Sequence, residues 1–205
     1  MRNVSRVLIV FTAFAVLCPA MTWYVRASPK TVVIGNYSAN TPPVINIKSG
    51  DTVDLETVSG SPAMLRRLGL TDQDIPAAAL EIDRDVKERG PGGHILTGPI
   101  FIEGAEPGDT LEVHIEKVTL PVPWSYNSFR PTSGFLPEDF PKAASKLIPL
   151  DLKKRVALFA PGIEIPLRPF FGSMGVAPPA DLGRLNSAPP WMHAGNLDNK
   201  DLVAG

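Results

Sequence analysis

Proline and glycine recur so often in this chain that a long uninterrupted helix has nowhere to form. There are 22 prolines and 17 glycines among 205 residues, or about one residue in five, well above ordinary usage. Proline fixes φ and removes a backbone donor, while glycine admits left-handed turns. Short strands, turns and irregular connections are therefore expected to dominate. Hydrophobic residues make up 44% of the chain, enough to give one domain a core. The formal net charge is −1, with no concentrated basic stripe of the kind nucleic acid requires. The single cysteine, Cys18, excludes an intramolecular disulfide and a multi-cysteine zinc site.

Residues 1–27 read as an export segment. Arg2 and Arg6 supply a positive start, residues 7–17 (VLIVFTAFAVL) are apolar except for Thr12, and Val25-Arg26-Ala27 is an A-x-A-like cleavage motif before Ser28. Apolar character resumes at Trp23 and Tyr24, so an uncleaved membrane anchor is the alternative. Cys18 follows Leu17, too large a neighbour for a lipidation motif. The domain at 28–205 is then expected outside the cytoplasm, periplasmic or extracellular, meeting the membrane only through an uncleaved N-terminal segment.

Several stretches after Lys30 have strand character. Residues 31–34 (TVVI) are β-branched, 44–47 (VINI) alternate, and 52–58 (TVDLETV) alternate again after Ser49-Gly50-Asp51, which predicts a hairpin. Residues 61–90 are the best helical region. Pro62 after Ser61 opens one helix, and Thr71-Asp72-Gln73-Asp74 is expected to cap a second over IPAAALEIDRDVKE. Residues 100–103 (IFIE) are strand-like, and 111–118 (LEVHIEKV) place Leu111, Val113 and Ile115 on one face. Gly50-Asp51-Thr52 and Gly108-Asp109-Thr110 echo each other, each a turn that feeds an alternating run. Residues 121–149 hold Trp124, Tyr126, Phe129, Phe135 and Phe140 without a period, and are expected to be a covering loop near a site. Residues 156–159 and 163–168 are strands, with Pro166 marking an edge or bend. The pattern is mainly β with some α.

Chemistry concentrates in two segments, residues 94–109 (HILTGPIFIEGAEPGD) and 193–198 (HAGNLD). His94 and His193 each lie in a glycine-rich loop, where side chains and backbone approach ligands. His114 sits between Glu112 and Glu116 and is expected in solvent. Glu103 closes the run IFIE; carried into a semi-buried place it serves as a general base, and otherwise it is a strand-end glutamate in water. His193 and Asp198 are close enough in sequence to hold one divalent ion and its water, while Asp198 could equally cap the turn after it. There is no G-x-S-x-G elbow and no phosphate-binding glycine loop. A copper-carrier reading fails for lack of a histidine–cysteine–methionine ligand set.

Together, HILTGPIFIEGAEPGDTLEV, SGDTVDLETVSG, PFFGSMGVAPP and HAGNLDNKDLVAG resemble, in order, segments of the acetamidase/formamidase family. The resemblance covers residues 31–205. It implies a β-sandwich-like fold with some α content and hydrolysis of the C–N bond of short linear amides. It also implies a divalent metal ion, zinc or calcium, and a homo-oligomer. The matching positions are His94, Glu103, His193, Asn196 and Asp198; from their chemistry, Glu103 is expected as general base, Asn196 with the Gly195 backbone as oxyanion stabiliser, His94 and Gly195 as substrate contacts, His193 and Asp198 as metal ligands or water-orienting groups, and Asp198 also as a catalytic residue. Family members continue past this last motif into a glycine-, histidine- and acid-rich segment, so the chain is expected to be an N-terminal portion with an incomplete fold. Many relatives also carry a histidine where Ile34-Gly35-Asn36-Tyr37 has none. A non-catalytic exported binding protein, or inactive remnant, is the competing expectation.

Overall fold

The computed structural model describes residues 20–131 and 136–205. Most of the expected export segment, with Cys18, and the aromatic Phe135 lie outside the described residues. Five short strands come first: β1 (Thr22–Val25), β2 (Val32–Ile34), β3 (Asn36–Tyr37), β4 (Ile45–Ile47) and β5 (Thr52–Leu55). Two helices follow, α1 (Pro62–Arg67) and α2 (Ala77–Asp85), then β6 (Ile95–Thr97) and β7 (Ile100–Ile102). After an irregular stretch come β8 (Trp124–Phe129), β9 (Ala144–Asp151), β10 (Val156–Ala160) and β11 (Ile163–Pro166). The last strands are β12 (Ser173–Gly175), β13 (Leu185–Asn186) and β14 (Ala194–Asn196). The fold is mainly β, as its punctuation predicts, with no helix longer than nine residues among those described.

The strands pair mostly in twos: β1 with β5 and β4 with β7 in parallel, β2 with β6, β3 with β13 and β12 with β14 antiparallel. The larger sheet is an antiparallel meander ordered β11-β10-β9-β8. The expected hairpin over 44–58 does not form. Asp51 accepts from Lys48 N at 3.0 Å and closes the turn, but β4 leaves for β7 and β5 for β1. A turn sets direction, and pairing goes to whichever strand supplies the matching ladder.

The echo of that turn makes the point again. Asp109 accepts from Glu106 N at 2.9 Å, the same closure as at Asp51, yet residues 109–121 form no strand. Leu111 and Val113 stay 47% and 50% exposed. The one backbone bond to the run from a distant segment among the described residues is Gly205 N to Ile115 O at 3.1 Å, and alternation alone does not make a strand without a full partner ladder. Conversely, the expected covering loop at 121–149 contains β8 and most of β9, paired from Trp124↔Pro149 to Phe129↔Ala144. β11 is an edge strand, in keeping with Pro166.

Helix α1 starts as its residues predict. The Ser61 hydroxyl accepts from Met64 N at 3.2 Å, Pro62 stands at the first helical position, and Arg66 and Arg67 occupy the last turn. Residues 71–74 do not cap α2. Asp74 instead accepts from the amide and hydroxyl of Thr71 at 2.8 and 2.7 Å, which holds its carboxyl below the usual range. Pro76 occupies the cap position of α2 and offers no side-chain acceptor.

The core is two clusters bridged by α2. Ile82 packs with Ala27, Val32 and Ile34, and Ala79 packs with Leu65 and Ile75. Three residues apart, Ala79 and Ile82 lie on one helix face, and Val58 touches both clusters. Leu65 and Ile82 are fully buried, each contributing roughly 1.5–3 kcal/mol of transfer free energy. This core fixes β2 and, through it, the loop that leads to Gly35.

Candidate functional site

Three segments meet at Gly35. Its N–H donates to the carbonyl of His94 at 2.8 Å, and its carbonyl accepts from Gly92 N at 2.9 Å and Ser187 N at 3.1 Å. The contact is so close that a Cβ on Gly92 would lie 2.1 Å from the Ser187 hydroxyl. Ser187 is fully buried. Its Oγ lies 3.0 Å from Nδ1 of His94 and accepts from the His94 amide at 3.4 Å. One edge of the half-buried His94 ring is thereby fixed.

The pairing of β3 with β13 carries Tyr37 to the second segment. His193 is 2% exposed, and its ring lies 4.7 Å from that of Tyr37 at a 53° tilt. Neither ring nitrogen has a hydrogen-bond partner among the described residues. Burial pulls the His193 pKa below its ordinary value and so favours the neutral ring. Gly195, at φ +82°, makes room for it: a Cβ there would lie 2.8 Å from His193 Nε2. Burial also raises the pKa of Tyr37, whose hydroxyl faces Ser173 without a well-formed hydrogen bond.

Asn196 is anchored at both ends. Ser173 Oγ donates to its Oδ1 at 2.9 Å, and its Nδ2 donates to the carbonyl of Ala188 at 3.0 Å. That second bond ties β14 to the strap beginning at Ser187, so His94, His193, Gly195 and Asn196 belong to one connected region. Asp198 is exposed, at φ +46°, with its amide on the carbonyl of Gly172 at 3.0 Å. Its Oδ1 leans over Gly172, where a Cβ would sit 2.7 Å away.

Of the two places open to Glu103, semi-buried or strand-end in water, it takes the second. Its amide donates to Ile47 O at 2.8 Å as β7 ends, and the side chain stands in solvent. β7 pairs with β4 in parallel only as far as Ile102, so Glu103 lies just past the end of a short two-stranded ladder. His114 is 79% exposed beside Glu112, as its acidic neighbours predict. An open depression of about 530 Å³ is lined by residues 113–116, 201–203 and Gly205; it includes none of the residues around His193.

The donor set for a divalent ion is partial. His193 offers unpartnered ring nitrogens and Asp198 an exposed carboxylate. Among the described residues, however, no group of three histidines, cysteines or carboxylates converges, and a catalytic zinc needs three protein ligands. The residues present do not by themselves fit such an ion. Tyr37, Ser173 and Ser187 have no place among the sequence-derived candidates. Nothing local marks them, because each gains its role from a pairing with a distant segment.

Over residues 27–203 the chain matches the family model described as Acetamidase/Formamidase family. A formamidase-like protein of Schizosaccharomyces pombe is 36% identical over 95 residues, 43% of this chain and 23% of that one. The crystal structure of acetamidase from Bacillus halodurans is 26% identical at a TM-score of 0.64, over 88% of this chain and 55% of that one. A predicted acetamidase/formamidase from Thermoanaerobacter tengcongensis shares the fold at a TM-score of 0.71 and 24% identity, over 91% of this chain and 55% of that one. Acetamidase from Yersinia enterocolitica does so at 0.63 and 24%, over 92% and 56%. All three structural matches take in more of the chain than the residues after Ala27 make up. The chain spans about half the length of these solved relatives.

Proposed function

The chain belongs to the acetamidase/formamidase family, whose members are amide hydrolases, and from that premise we propose that it supplies His193 as the general base in hydrolysis of short linear amides such as formamide and acetamide. The observation that carries this reading is the state of that ring: buried, with burial favouring its neutral form, and with no partner for either nitrogen among the described residues. An unsatisfied buried polar group costs about 1–3 kcal/mol, and such groups are rare unless a ligand or water meets them. A neutral imidazole can take a proton from water as the water oxygen adds to the amide carbonyl carbon. The C–N bond then breaks as the nitrogen takes up a proton, giving a carboxylate and ammonium.

The neighbouring groups fit supporting roles. Asn196 spends one N–H on Ala188 O and keeps the other, on a side chain already immobilised, for a developing oxyanion. His94, steadied through Nδ1 by Ser187, offers its other edge to substrate. Asp198 and Glu103, both exposed, give way to His193 in this assignment. No step passes through a metal ion.

The test is ammonia release from formamide and acetamide by the purified protein. His193→Gln should lower turnover by about 100-fold or more, the range of a lost general base, and Glu103→Gln by no more than about threefold. Circular dichroism of each variant checks the fold. Wild-type turnover in folded His193→Gln refutes the assignment. The exposure of both carboxylates favours one other reading, a protein that binds amides without cleaving them; formamide bound by the wild type with no ammonia released would establish it.

A further inference from the structure

We propose that the chain is processed between Ala20 and Met21, seven residues before the cut that the A-x-A-like motif ending at Ala27 would direct, and that the Asp51 carboxylate holds the α-ammonium group this cut creates. The proposal rests on the reading of the apolar run at 7–17 as an export signal. It is independent of the amide chemistry.

The residues between the two cut points are part of the fold. β1 pairs with β5 over four register positions, from Thr22↔Thr52 to Val25↔Leu55. The ladder is extended at both ends, by Thr52 N to Met21 O at 2.8 Å and Glu56 N to Val25 O at 2.9 Å. Val25 and Ala27 are 4% and 5% exposed, and Ala27 belongs to the core cluster around Ile82. A cut after Ala27 would remove a strand and a core residue and leave β5 without its only partner strand among the described residues. Residues 109–121 illustrate the effect of such a loss. The turn closed by Asp109 copies the one closed by Asp51, and the alternating run after it, with no strand beside it among the described residues, forms no ladder.

Upstream, the sequence offers a second cleavage motif in the right place. Cys18-Pro19-Ala20 puts small residues at the first and third positions directly after the apolar run. A membrane signal peptidase would there hydrolyse the Ala20–Met21 peptide bond with water, leaving a carboxylate on Ala20 and an α-ammonium on Met21. That nitrogen already has a receptor. Met21 N donates to Asp51 Oδ1 at 2.9 Å, while the other carboxylate oxygen accepts from Trp23 Nε1 at 2.9 Å and Lys48 N at 3.0 Å. As an amide, Met21 N makes a neutral-to-charged hydrogen bond; as an ammonium it makes an ion pair in the same geometry. Asp51 thus serves as the turn residue of β5 and as the clasp of the mature N-terminus.

The experiment is export of the full 205-residue chain from a bacterial host, then intact mass and N-terminal sequencing. The expected product starts at Met21. A product starting at Ser28, a lipid-modified Cys18 or retention of residues 1–20 overturns the proposal. Ala20 is exposed, so Ala20→Phe blocks the peptidase without touching the core. It should yield only uncut chain, and an unchanged product would place the cut elsewhere. Asp51→Asn should lower the urea midpoint of the processed protein more than that of the Ala20→Phe chain. Equal shifts in the two backgrounds overturn the clasp.

Discussion

Replacing Gly195 with alanine tests how the protein keeps a neutral histidine buried. The new methyl would lie 2.8 Å from His193 Nε2, 3.1 Å from its Cδ2 and 3.4 Å from Tyr37 Cε2, on a backbone at φ +82°. Two costs add. The left-handed backbone charges a residue with a Cβ roughly 1–2 kcal/mol. Forcing a methyl against a ring wedged between two neighbours adds roughly 1–3 kcal/mol. The expected loss is about 2–5 kcal/mol in urea denaturation. Gly50→Ala separates the terms: its φ is +91°, with no non-adjacent atom of the described residues within 4 Å of the added Cβ, so it should show only the backbone cost of roughly 1–2 kcal/mol. In Gly195→Ala combined with His193→Ala, the steric part should vanish and the two substitutions should be strongly non-additive. If Gly195→Ala costs no more than Gly50→Ala, or if the pair is additive, the ring is not held against the Gly195 backbone and the reasoning fails.

Three further outcomes are expected of the same structure. Burial lowers the His193 pKa below 6.5, so on acidification the unfolded chain takes up a proton that the folded one resists; stability is complete above about pH 6.5 and falls as pH drops below it, down to the folded pKa. Urea midpoints between about pH 7.5 and 5.5, with His193→Gln as the flattened control, measure this. Ser61→Ala removes the oxygen that caps Met64 N and should cost about 1 kcal/mol by the same assay. Ile82→Ala opens a fully buried site between β2 and α2 and should cost about 2–5 kcal/mol, with thermal unfolding as the check.

Local chemistry was readable from the residues; long-range pairing was not. Ser61-Pro62 announced α1, TVVI announced β2, and residues 156–159 announced β10, because cap geometry and β-branching act within a few positions. The same rules misplaced Thr71 to Asp74, which bond to each other, and gave too much strand to residues 111–118, whose alternation meets no partner strand among the described residues. They gave too little to β8, WSYNSF, whose strand state comes from a full ladder to β9 rather than from its own pattern. At the site, His94, His193, Gly195 and Asn196 stood out as ligand-type residues among glycines, and the structure brings them into one region. Glu103 looked buried because IFIE is apolar, but β7 is too short to carry its end inward. Tyr37 and Ser187 could not be seen, since β3–β13 pairing joins segments from opposite ends of the described chain.

The three hydrogen bonds at Gly35 also fix an order of events. They join residues near positions 35, 93 and 187, so they close only after most of the chain has collapsed around them, at a loop-closure cost that local turns never meet. α1, α2 and the β8–β11 meander can each form from neighbouring residues beforehand. The chain should therefore pass through species that have most of their secondary structure and no site at all. Amide exchange at Gly92 and Ser187, whose N–H groups both end on the Gly35 carbonyl, would then be a clock for the last step of folding, slowing only when the region around His193 has closed.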